Sequence, residues 1–267
     1  MDITSRQQIT VHGVALETQQ ISGPADRPTL VFLHEGLGSV ALWRDWPQQL
    51  CKRLGLAGLV YSRQGYGQSA PRPDVRGEPR VVNGLPQGRL QPDYMHHEAQ
   101  MVLPELLRQL GIAHPLLLGH SDGGTIALLH ASQHPVAGCI VMAPHVIVED
   151  LSVSAIDQAR EAYLNGPLRQ RLAAFHADVD CAFWQWCDAW LNPAFRSYDI
   201  RAEIASITAP LLAIQGEDDA YGTLAQIDEI ALQVPQTRLV KLVACGHSPH
   251  RDQPEAVAQS IEQFITL

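Results

Sequence analysis

The chain has 267 residues, 46% hydrophobic and 18% charged, with 28 acids against 19 bases and a formal net charge of −9. That length and balance suit one α/β domain with a sizeable core and exclude a disordered chain. The acidic excess argues against nucleic acid or an anionic membrane as partner and says little about a small-molecule substrate. Met1 to Arg6 carries no apolar signal core, and no apolar run approaches the ~20 residues of a membrane span. Five scattered cysteines (Cys51, Cys139, Cys181, Cys187, Cys245) form no C-x-x-C pair, so they read as reduced thiols and the expected compartment is cytoplasmic.

Residues 8–11 and 14–18 alternate in polarity and predict two strands around His12-Gly13. Residues 29–33 are a continuous apolar run, the mark of a strand buried on both faces, and end in His34-Glu35-Gly36-Leu37-Gly38-Ser39. Residues 41–54 place Trp43, Trp46 and Leu50 at helical spacing. Residues 56–61 form another buried strand, opening into the Gly-rich turn 62–69. Residues 70–92 hold several Pro, Gly and Arg with little periodicity and predict a long loop, which in a compact domain is usually functional or mobile. Residues 93–110 return to helix, bent or restarted at Pro104.

Leu116-Leu117-Leu118 is the next buried strand, and residues 125–131 read as a helix. Between them Gly119, Ser121 and Gly123 meet the G-x-S-x-G pattern. This pattern describes a sharp strand-to-helix turn that exposes a serine hydroxyl at the end of a parallel sheet. The turn is cramped, and glycine at 119 and 123 removes side chains that would collide. The following helix aims its N-terminal N–H groups where an oxyanion would form. After the strand 139–143, residues 144–207 show no strand pattern. Helices are expected at 155–164, 167–175 and 179–191, the last carrying Phe183, Trp184, Trp186 and Trp190. The sheet resumes at 210–215, ending in Gly216-Glu217-Asp218-Asp219. A helix at 225–232, a strand at 238–242, the loop Cys245-Gly246-His247-Ser248-Pro249-His250 and a helix at 254–267 complete the chain. The alternation predicts an α/β fold with a mostly parallel, doubly wound sheet. Its core comprises 1–144 and 208–267, with 145–207 inserted as a helical unit. Functional loops then belong at the carboxyl ends of the strands.

Five features in this order resemble the α/β-hydrolase superfamily over nearly the full chain. They are the His34–Gly38 loop, the Arg63–Ser69 turn, the Ser121 elbow, the Gly216–Asp219 strand end, and Gly246-His247. Phe32-Leu33-His34 and Ser39-x-x-Leu42-Trp43-Arg44 are also similar to the haloalkane dehalogenase and epoxide hydrolase branches. Those branches use an aspartate nucleophile, whereas position 121 is serine. The resemblance implies Ser121 as nucleophile, His247 as its base and Asp219 as the acid that orients the base. Asp218 is the alternative acid by a one-residue shift, and Glu149 or Asp150 would serve if the acid followed an earlier strand. His120 is expected to pack under the elbow and His250 to be a packing neighbour.

The oxyanion donors implied are the backbone N–H groups of Asp122 and Gly36. Glu35 is the alternative to Gly36, because it stands where the family often has glycine. Glu35 would hold the loop, select against anionic acyl groups, or face outward. Residues 145–207 resemble the family's lid. Within it Phe183, Trp184 and Trp186 would contact substrate or simply pack the helices, and the 70–92 segment would cover the same mouth or stay solvated. No H-E-x-x-H, P-loop or Rossmann fingerprint occurs, so neither metal nor cofactor is expected. The expected activity is hydrolysis of a small carboxylic ester, thioester or lactone through an acyl-enzyme on Ser121. Carbon–carbon bond hydrolysis of a ring-cleavage dienoate and a non-enzymatic small-molecule receptor are the alternatives.

Overall fold

The computed structural model describes residues 6–266; the Met1–Ser5 stretch read for a signal core, and Leu267 of the last predicted helix, lie outside them. Strands β1 (Gln7–Val11) and β2 (Val14–Ile21) form a hairpin. Strand β3 (Leu30–Leu33) leads to α1 (Trp46–Leu54) and β4 (Gly58–Tyr61). A separate hairpin, β5 (Arg80–Val82) and β6 (Leu85–Gln87), precedes a helical stretch made of α2 (Tyr94–His97), a π turn (Glu98–Val102) and α3 (Leu103–Gln109). Strand β7 (Leu116–His120), helix α4 (Asp122–Ala131) and strand β8 (Gly138–Met142) form the central unit. Between β8 and β9 (Leu211–Gly216) lie α5 (Asp150–Asn165), α6 (Leu168–Leu172), α7 (Val179–Trp190), a 3-10 turn (Pro193–Ser197) and α8 (Arg201–Ile204). Helix α9 (Ala225–Gln233), strand β10 (Thr237–Leu242) and helices α10 (Pro249–Asp252) and α11 (Pro254–Ile265) follow.

Eight strands form the main sheet in the order β1-β2-β4-β3-β7-β8-β9-β10. The β1–β2 and β2–β4 pairs are antiparallel and the rest are parallel. Every residue of β3, β4, β7, β8 and β9 is buried, which explains why these strands read as unbroken apolar runs. The two-residue period of a strand then sorts their side chains onto two cores. Val31, Leu33, Leu117 and Val141 join one core, with α3, α4 and α9; Leu30, Phe32, Leu118 and Ile140 join the other, with α1 and α11.

Two local differences from the sequence reading, and one local agreement, have physical causes. The first helix starts at Trp46 rather than 41, because Pro47 is tolerated only in a helix's first turn. The 93–110 helix makes the expected fresh start at Pro104, which stands in the first turn of α3. It widens into the π turn just before it, which relieves the clash between the proline ring and the preceding turn. The 70–92 segment is not all loop. Asn83 (φ 51°) and Gly84 (φ 78°) make the tight turn of the β5–β6 hairpin, a signal the sequence carried. All five cysteines are buried and unpaired. No helix among the described residues is long and apolar enough to cross a membrane.

Candidate active site

Ser121 sits between β7 and α4 at φ 53°, ψ −121°, a strained conformation for a residue with a side chain. The surrounding packing enforces it. A Cβ on Gly119 would lie 2.1 Å from the Gly123 carbonyl oxygen, and one on Gly123 would lie 2.0 Å from the Leu33 carbonyl oxygen. Both glycines are therefore required by close backbone approach rather than by positive φ.

The structure brings Ser121, His247 and Asp219 together from three strand ends. His247 Nε2 is 3.0 Å from Ser121 Oγ, and His247 Nδ1 is 2.9 and 2.8 Å from the two Asp219 carboxylate oxygens. The carboxylate accepts the Nδ1 proton, which leaves the Nε2 lone pair facing the serine hydroxyl. Asp219 also accepts from the Tyr221 amide at 2.7 Å and from Gln215 Nε2 at 2.7 Å. Burial raises its pKa, but the His247 contact, the pull of His247 and the Tyr221 amide outweigh that, so the carboxyl is held below its ordinary range. The neighbouring Asp218 is exposed, and its amide bonds the Cys245 carbonyl. Glu149 instead accepts from Thr223 and Gln226, tethering the loop that carries Asp219, and Asp150 pairs with Arg196 on the surface.

His247 is positioned from several sides. His120, 1% exposed, donates through Nε2 to the His247 carbonyl at 2.6 Å. Tyr221 and His145 flank the His247 ring, with centroids 4.7 and 5.8 Å away. Buried His145 is kept neutral, its pKa pushed down to about 3 chiefly by burial. His250 packs between Trp43, Trp46 and His120. Tyr221 and His145 were not anticipated: neither belongs to a recognisable motif, and both reach the site only through loops after β9 and β8.

The 34–38 segment is organised by Arg63, which sequence inspection did not single out. The Arg63 amide donates to His34 Nε2 at 3.0 Å, so the ring proton sits on Nδ1 and is donated to the Glu35 carbonyl at 2.7 Å. The Arg63 guanidinium donates to the His34 carbonyl at 2.6 Å and the Glu35 carbonyl at 3.1 Å. In trans peptides the N–H points opposite to the C=O. Anchoring these two carbonyls therefore turns the Glu35 and Gly36 amides away from Arg63. His176 adds a tie from the α6–α7 connection, donating to the Leu37 carbonyl at 3.0 Å. The Asp122 amide lies in the first turn of α4, where N–H groups lack an intrahelical acceptor.

Glu35 does not face outward. Its side chain is 16% exposed, 3.3 Å from Arg251 and 3.5 Å from His120 Nδ1. Despite the cost of burial, His120 and Arg251 hold its pKa well below the carboxylate norm. The Asp122 side chain is fully buried and accepts from Tyr94 Oη at 2.5 Å and Trp190 Nε1 at 3.2 Å, with Arg63 3.7 Å away. This network joins the start of α4 to α2 and α7.

The three aromatics of α7 part company. Phe183 is fully buried and stacks on Tyr163 at 3.7 Å. Trp184 lies under the Arg76 guanidinium, 3.8 Å from centroid to carbon, which ties α7 to the 70–92 segment. Trp186 packs on the 34–38 segment: a Cβ on Gly36 would lie 2.1 Å from its Nε1.

A model of the "Alpha/beta hydrolase family" matches residues 30–260. The chain belongs to that family. Among curated relatives, a 2-succinyl-6-hydroxy-2,4-cyclohexadiene-1-carboxylate synthase from Enterobacter sp. (strain 638) is 27% identical, the match covering 92% of this chain and 95% of the relative. The sn-1-specific diacylglycerol lipase ABHD11 of Mus musculus is 23% identical, covering 92% of this chain and 83% of the lipase. The crystal structure of the enol-lactonase from Burkholderia xenovorans LB400 superposes with a TM-score of 0.72 at 19% identity, covering 98% of this chain and 100% of the lactonase. The family membership and the names of these relatives support a hydrolase-fold enzyme.

Proposed function

We propose that the protein is a serine hydrolase cleaving a small carboxylic ester, thioester or lactone through an acyl-enzyme on Ser121. The observation that carries this reading is the unbroken chain Ser121 Oγ–His247–Asp219, with contacts of 3.0 and 2.8 Å. In this reading His247 takes the proton of Ser121 as Oγ attacks the substrate carbonyl carbon. The negative charge that moves onto the carbonyl oxygen is met by the Asp122 and Gly36 amides. Asp219 stabilises the imidazolium, which then protonates the departing alcohol, thiol or lactone oxygen. Water, deprotonated by the same imidazole, attacks the acyl-enzyme and releases the acid.

The helical unit 145–207 acts in this reading as the lid, with Trp186 over the oxyanion segment and His176 and Trp190 bonding it to the core. Glu35 holds the loop rather than contacting substrate. Carbon–carbon hydrolysis of a dienoate is less well supported. The guanidinium groups beside the oxyanion segment, Arg63 and Arg251, are engaged by Asp122 and backbone carbonyls and by Glu35, so neither is offered to a substrate carboxylate.

The test is turnover of short 4-nitrophenyl esters by wild type and Ser121→Ala. The variant is expected to lose turnover while keeping its melting temperature; full activity in Ser121→Ala refutes the reading.

A further inference from the structure

A cavity of about 430 Å³ lies away from this site, between the β1–β2 hairpin, the β5–β6 hairpin and the α2–π-turn stretch; Ser121, Asp219 and His247 do not line it. Its size falls within the roughly 300–1,000 Å³ of small-molecule pockets. One wall is apolar, built by Val11, Val14, Leu16 and Leu90.

The polar lining is unbalanced. Four arginines stand in the 70–92 segment, and three have carboxylate partners: Arg76 with Asp188, Arg80 with Asp74, and Arg89 with Glu78. The fourth, Arg72, lines the cavity half-buried, and no carboxylate pairs with it among the described residues. Its Nε donates to the Gly88 carbonyl at 2.6 Å. Tyr66, also on the lining, is 2% exposed, and its side chain meets the Arg63 guanidinium. Two acids share the lining. Glu98 accepts from Tyr61 Oη at 2.8 Å, and burial raises its pKa; Asp93 stands at the exposed rim. A half-buried guanidinium without a carboxylate partner is open to an anionic ligand.

We propose that this cavity is a second binding site, for a small monocarboxylate with an apolar body, its carboxylate on Arg72 and its chain along the Val11–Leu16 wall. A planar guanidinium suits a carboxylate better than it suits a neutral amide. The lining includes buried Arg63, the residue that anchors the His34 and Glu35 carbonyls. A bound acid therefore rests against the support of the oxyanion segment without reaching Ser121.

Calorimetric titration of octanoate into full-length Ser121→Ala protein tests this, with octanamide as the neutral control. Because it reads binding without catalysis, its outcome is independent of the hydrolase reading. Octanoate is expected to bind saturably at one site, about tenfold or more tighter than octanamide, and Arg72→Gln should remove that advantage. Should Arg72→Gln fail to fold by circular dichroism, Met101→Trp decides. Met101 is 52% exposed on the lining, and the larger ring should occlude the cavity and weaken octanoate by about tenfold or more. The proposal is overturned if octanoate does not saturate at millimolar concentrations, if octanamide binds equally well, or if binding survives both substitutions.

Discussion

Replacing Gly36 by alanine adds one methyl group at the point where α7 meets the 34–38 segment, the proposed oxyanion donor. The added carbon would sit 2.1 Å from Trp186 Nε1 and 2.3 Å from its Cδ1, against ordinary contacts of about 3.5 Å or more. Either the indole or the 34–38 backbone must give by more than about 1 Å. The indole is only 6% exposed, and the segment is fixed by Arg63 and His176. Gly36 is not among the residues at positive φ, so the cost is steric rather than torsional. Overpacking of this kind costs about 1–3 kcal/mol of stability. Displacing an oxyanion donor costs about 10²–10³ in rate, or about 3–4 kcal/mol. The assay is kcat for a 4-nitrophenyl ester together with a urea melt. Gly36→Ala is expected to lose about 10²-fold or more in kcat, and adding Trp186→Leu should restore at least about tenfold of that loss. The reasoning is wrong if Gly36→Ala keeps most of its activity, or if Trp186→Leu leaves the Gly36→Ala penalty unchanged.

Gly123→Ala should fail to give folded protein, since its methyl would meet the Leu33 carbonyl oxygen at 2.0 Å; a wild-type-like melting temperature would contradict the elbow packing described above. His130 is buried and neutral, its pKa lowered from 6.5 to about 4 mainly by burial. Between those values the unfolded chain takes up a proton that the folded chain refuses. The His130 contribution to stability is therefore full above about pH 6.5 and falls by up to about 1.4 kcal/mol per pH unit below it. His130→Gln should flatten that slope in urea melts, and an unchanged slope would count against it. Glu35→Gln should lower stability by about 1–3 kcal/mol through loss of the Arg251 and His120 contacts, without changing the preference between neutral and anionic acyl esters. A gain in turnover of anionic esters would instead make Glu35 a selectivity residue.

The central strands were legible because burial on both faces leaves an unbroken apolar run, as in Leu116–Leu118. The elbow was legible because only glycine fits at 119 and 123. The His247–Asp219 pair followed from family order rather than from chemistry visible in the chain; the sequence by itself left Asp218 open, and burial of one carboxylate but not its neighbour separates them. What lay hidden depends on contacts between distant segments. Arg63 looks like an ordinary turn arginine until its guanidinium meets the carbonyls of residues 34 and 35. Likewise Trp184 and Trp186 are two residues apart on one helix. One lies under Arg76 and the other on Gly36, a division that spacing cannot show. Asn83-Gly84 was readable as a hairpin turn, but the short flanking strands lacked the alternating apolar pattern that would have announced it.

The most direct test of the Ser121–His247–Asp219 reading is reaction of the folded, full-length protein with a fluorophosphonate, followed by peptide mass spectrometry. A single adduct on the peptide containing Ser121, absent in Ser121→Ala and strongly slowed in His247→Ala, is the predicted result. Ester turnover that persists with Ser121 unlabelled, or labelling that is as fast without His247, would contradict it.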